Sequence, residues 1–138
     1  MIKSALATLL LLTLSGPAAP RPAFGAIDVA RRIEARRAIE RVYHARKVGE
    51  TRPFEEAVPY GLVERQVRHS LKQESALARR YGVRITESML RDEAARMSRG
   101  TRLPDRLREL HAALDNDPAL ILEALVRPVL VDRLVRTA

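Results

Sequence analysis

The chain has no cysteine and no tryptophan, and aromatic residues make up only 4% of its 138 positions. Without cysteine there is no disulfide framework, no thiolate nucleophile and no zinc-thiolate site. With so few aromatics, a core has to be assembled from Leu, Val, Ile, Ala and Met. Also missing are a Walker phosphate loop, a glycine-rich dinucleotide turn and an HExxH metal motif. The histidines, His44, His69 and His111, fall on three separate helical patterns, so no nucleophile, base and orienter are brought within mutual reach. His69 and Ser70 are neighbours but project about 100° apart on a helix. No catalytic residue, metal ligand or cofactor is expected. A long apolar run is lacking too: Ala5 to Leu14 is about half of the roughly 20 residues a membrane-spanning helix needs.

That short run has a use. Lys3 precedes it, Ser15-Gly16-Pro17 breaks it, and Ala23 and Gly25 are the small residues a signal peptidase reads. Residues 1–25 are expected to be a signal peptide cleaved near Gly25, and the mature protein to be periplasmic or secreted in a bacterium; an uncleaved N-terminal anchor is the alternative. Taking Lys3 and Arg21 off the formal charge of +8 leaves +6. The remaining positive charge is almost all arginine.

Apolar residues then recur every three or four positions, the period of helices with one buried stripe. Asp28 is placed to cap a helix reaching about Lys47, with Ile27, Ala30, Ile33, Ala38, Ile39, Val42 and Tyr43 as its buried stripe. Arg31, Arg32, Arg36, Arg37 and Arg41 read as its solvated face, with an anion-binding face as the alternative. Gly49 to Pro59 reads as a loop that Phe54 pins to the core. Gly61 to Met97 is a helix, a hinge and a second helix. The first carries Leu62, Val63, Val67, Leu71, Leu77 and Ala78, and ends where Gly82 can turn left-handed. Thr86 caps the second, which carries Met89, Leu90, Ala94 and Met97.

Pro104 opens a short helix with Leu107, Leu110 and Leu114 on one side. Asp117 caps the last helix with Pro118 at its first position. An EF-hand reading of Asp115-Asn116-Asp117 fails for want of the loop glycine and of a correctly spaced Glu123. A kink or restart is expected at Pro128, followed by the apolar Val129, Leu130, Leu134 and Val135. The fold class is all-α: five to six helices around one aliphatic core, with an N-terminal helix and loop over 26–60 and a helical domain over 61–138.

The segment LARRYGVRITESMLRDEAARM has the outline of a DNA-binding helix-turn-helix. An exported chain meets little DNA, however, and Glu87, Asp92 and Glu93 on the second helix would repel phosphates. No nucleic-acid partner is expected. The order of Leu71, Glu74, Ala78, Arg79, Arg80, Gly82, Val83, Ile85, Thr86 and Met97 instead resembles the N-terminal domain of SurA/PpiC-type extracytoplasmic chaperones. The resemblance covers roughly Val58 to Arg136. The parvulin domain of the isomerase members has no counterpart here, so isomerase activity is not implied. Relatives complete this fold with a later helix; without it the expectation is a stand-alone module, an oligomer or a truncated reading frame.

The resemblance implies a module that binds unfolded or extended polypeptide without catalysis of its own. An aliphatic cleft holding flexible methionines would suit varied apolar clients. The residues expected to line it are Val67, Leu71, Met89, Leu90, Met97, Leu110 and Leu114. The alternatives are a structural module of the cell envelope, dimerising through Val129, Leu130, Leu134 and Val135, and a basic helical protein binding anionic lipid or nucleic acid.

Overall fold

A computed structural model describes residues 27–138; the expected signal peptide lies outside them. Among the described residues every regular element is helical. Asp28 opens α1 (Val29–Ala45) by accepting the Arg31 amide at 2.7 Å. After α2 (Phe54–Ala57), α3 (Tyr60–Tyr81) ends at Gly82, whose φ of +68° lets its own N–H donate to the Leu77 carbonyl. The Thr86 hydroxyl accepts the Met89 amide at 3.2 Å and starts α4 (Glu87–Gly100). Next comes α5 (Pro104–Ala113), then a turn through Asp115 and Asn116 at φ +56° and +51°, a left-handed conformation that Asp and Asn tolerate. Asp117 caps α6 (Pro118–Leu120) by accepting the Ala119 and Leu120 amides.

The last helix changes its winding at Pro128 instead of ending there, and regular α-helix resumes at Arg127. From α6 it continues as a π-helical stretch (Ile121–Val126) into α7 (Arg127–Thr137), forming one C-terminal rod. The Arg127 N–H reaches back five residues to the Leu122 carbonyl. Pro128 has no N–H, and its ring would crowd the Ala124 carbonyl in a regular helix; widening the turn upstream relieves both problems without a break.

The rod is the centre of the fold. Its Leu120, Ala124 and Leu125 join Ala35 and Ile39 of α1 and Leu110 and Leu114 of the α5 end in the larger core cluster. Its Val126 and Leu130 join Leu90 of α4 in the smaller one. Met97 and Ile121 touch both clusters. α3 packs on α1 and α7, whereas α4 lays its stripe on the rod.

Three expectations need correction. Ala30, Tyr43 and Leu62 are exposed, because the buried face of α1 runs instead through Ile33, Ala35 and Ile39, and that of α3 through Val63. Phe54 does not reach the aliphatic core. It sits on the polar side of α1, 4.5 Å from the Arg41 guanidinium and 5.6 Å from that of Arg37, with His44 edge-on at 5.6 Å. Arg37 is accordingly buried rather than solvated: it lies between Phe54 and Tyr60 and donates to Glu55 at 2.5 Å.

Candidate functional site

α3 carries its apolar positions at Val63, Val67, Leu71, Leu77 and Ala78, but only Val63 and Leu77 are fully buried. These two hold the helix near its ends. Between them Val67 and Leu71 are half-covered, and Ser70 and Glu74 bring polar groups to the same face. The result is a cleft of about 310 Å³ between α1, α3 and the rod, with Val67, Leu71, Ala124 and Pro128 as apolar wall. A second hollow of about 500 Å³ continues it past Ala78 to the hinge residues Val83 and Ile85. Both hollows are lined by Arg32, Leu71, Glu74 and Arg127, so they form one groove. From Gln66 to Ala78 it follows α3 for about 18 Å, at 1.5 Å per helical residue.

The groove is floored by a buried ion cluster. Glu123 is 1% exposed and engages Arg127 in a two-pronged contact, Nε and the terminal nitrogen each donating at 2.9 Å. Four residues apart, the two fit one face of the widened turn. Arg127 also donates to Glu74 of α3 at 2.6 Å. Arg32 of α1 donates to the Glu123 carboxylate at 2.8 Å and to its carbonyl at 3.2 Å. Burial works against the Arg127 charge, but hydrogen bonding to Glu123 and the charges of Glu74 and Glu123 outweigh it and raise its pKa. The cluster ties three helices together at one point, while the space beside it stays open.

A similar device fixes α4. Glu93 is buried at 2% exposure, accepting from Arg96 Nε at 2.9 Å and from Arg133 of α7 at 2.9 Å. Hydrogen bonding from Arg96 lowers its pKa, and Arg133 adds to this, against the opposing effect of burial. Glu93 therefore presents no free carboxylate that would repel a phosphate.

Of the seven residues expected to line a cleft, the structure brings only Val67 and Leu71 to the groove. Leu90, Leu110 and Leu114 are core, exposed by 0%, 4% and 1%. Met97 seals both clusters and Met89 covers the smaller one. The rod is the reason: it occupies the face of α4 that a cleft between α3 and α4 would have needed. The expected dimer surface lies on the rod itself and is half covered from within the protomer, since Leu130 is 2% exposed and Leu134 packs on the smaller cluster. Val129 is half-buried, and Val135 is 38% exposed.

Arg32, Glu74, Glu123 and Arg127 were not singled out by spacing as groove residues. A signal was present: Glu74 falls on the apolar period between Val67 and Leu77, and Glu123 adjoins Ala124 inside the rod's apolar run. His69 lies on the cleft wall, but no group of three metal-ligating side chains occurs among the described residues. Nor is any helix among them long and apolar enough to cross a membrane. Compared with known protein families, curated proteins and solved structures, the chain matches none.

Proposed function

We propose that the chain is an exported chaperone-like module that binds unfolded or extended polypeptide in the groove beside α3, without catalytic activity of its own. The observation that carries this reading is the groove's mixed wall. Val67, Leu71, Ala78, Val83 and Ile85 offer apolar contact. Interspersed with them, Gln66, Ser70 and Gln73 offer amides and a hydroxyl that can donate and accept, and Ser75, whose hydroxyl donates to the Leu71 carbonyl, can accept. An extended apolar strand needs both, because every non-proline residue brings a backbone N–H and C=O in addition to its side chain. At about 3.3 Å per residue, an 18 Å groove spans five to six residues of such a strand. The polar side chains are adaptable, which suits a binder that does not read one sequence.

The absence of tryptophan makes the test direct, since excitation of that residue reports only on the ligand. A reduced, unfolded polypeptide bearing one tryptophan in an apolar stretch is expected to show a saturable blue shift with the wild-type protein. Leu71→Asp, at a half-exposed site, is expected to abolish it while the helical circular dichroism is kept. No shift with the wild type, or an equal shift with the variant, contradicts the reading.

A further inference from the structure

We infer that the segment held in the groove is acidic, with an Asp or Glu side chain set among apolar residues; the inference rests on the extended-polypeptide reading above. The groove lining contributes Arg32, Arg36, Arg84 and Arg127 against Glu74 and Glu123, an excess of two positive charges. The inner cluster is spent: both Glu123 oxygens and three Arg127 nitrogens are engaged with one another, with Arg32 or with Glu74. What remains for a ligand lies on either side of it. Arg36 pairs with Glu40 through a terminal nitrogen at 2.6 Å, but its Nε is buried with no acceptor. A buried donor left without an acceptor is rare in folded proteins, and because Arg36 lines the cleft, a turn of its side chain would offer that N–H to an incoming oxygen. Arg84, beside the second hollow, is exposed and forms no ion pair among the described residues.

The position of the charge identifies the kind of carboxylate. The cluster of Arg32, Glu74 and Arg127 lies where the two hollows meet, so space continues on both sides of it. A site for a chain terminus needs a blind end, and neither hollow is enclosed. The acid is therefore a side chain within the segment. The overall positive charge of the chain also favours encounter with acidic segments.

Three peptides of equal length and apolar content, each with one tryptophan, test this with the wild-type protein. The first has a central Glu and an amidated end, the second Gln in place of Glu, and the third Gln with a free C-terminal carboxylate. The Glu peptide is expected to bind at least about fivefold more tightly than the amidated Gln peptide at ~50 mM salt, the ratio shrinking towards one at ~0.5 M as exposed charges are screened. In a double variant, Arg36→Gln with Arg84→Gln, the ratio is expected to fall towards one at low salt. Equal binding of the Glu and Gln peptides to the wild type overturns the acidic preference while leaving the groove reading intact. So does a preference that survives both substitutions. A free C-terminus that gains as much as the Glu side chain replaces the internal acid with a terminus. If no peptide binds, the groove reading and this inference fall together.

Discussion

The C-terminal rod presents two faces that hold their neighbours by different means. Towards α5 and the inner side of α1 it offers Leu120, Ala124 and Leu125, and the contact closes into an aliphatic cluster. Towards α3 and the polar side of α1 it offers Arg127 and Glu123, which pair with Glu74 and Arg32, and a groove lies beside these contacts. Apolar attraction has no direction and grows with area, so such surfaces close until no gap is left. Ion pairs act between particular atoms at fixed distances, so they join helices at a point and leave the flanking space unfilled. A site that must admit a variable ligand is better framed by the second kind of contact.

The contrast is sharpest if a single buried partner is removed. Arg127→Met leaves Glu123 buried without its two-pronged donor and is expected to cost about 3–5 kcal/mol in urea unfolding. Adding Glu123→Leu to that variant is expected to restore at least half of the loss, because the stranded charge goes with it. A double variant as unstable as the single one would mean that the ion cluster itself, not the stranding of a charge, carries the energy.

Next in size is a matched pair of leucine truncations. Leu114→Ala, in the aliphatic cluster, is expected to cost about 2–5 kcal/mol, whereas Leu71→Ala, on the half-open groove wall, should cost only about 1 kcal/mol. Equal losses would mean that the groove is closed in solution. Gly82→Ala places a side chain at φ +68° on the hinge that separates α3 from α4. It is expected to cost roughly 1–2 kcal/mol by thermal unfolding; no change would mean that the hinge is free to take another shape.

The smallest effect is one of pH. The Glu93 carboxyl has a folded pKa below its ordinary value of 4.5, with hydrogen bonding from Arg96 the largest cause. Its contribution to stability is therefore complete above the ordinary value and is lost as pH falls through the lowered one. Urea midpoints measured from pH 6 to pH 3 should fall for the wild type and fall less for Arg96→Gln. Parallel curves would assign the acid sensitivity to other carboxylates.

Much of this frame was legible in the sequence, and the reason is locality. Asp28, Thr86 and Asp117 cap helices by bonding amides two or three residues ahead, and Gly82 ends α3 through its own backbone. Such features need no knowledge of the rest of the fold. The groove was less legible because its floor joins Arg32 to Glu123 across 91 positions. Read alone, an arginine on a basic helix is a surface residue. Glu93 shows the same difficulty, reading as an exposed acid until Arg133 is brought to it from α7. Pro128 marks a disturbance in the last helix, but whether the chain breaks or widens depends on what packs against it. Here the aliphatic side of the rod is held by both clusters, and widening keeps it in place.

The absence of cysteine permits the most direct measurement. A photoreactive crosslinker attached through Ser70→Cys, on the groove wall, should form a covalent adduct with an unfolded polypeptide, competed away by the unlabelled polypeptide. The same reagent attached through Ser98→Cys, exposed on α4, should not. Adducts of equal yield at both positions, or none at Ser70→Cys while binding is measurable, would place the ligand elsewhere than beside α3.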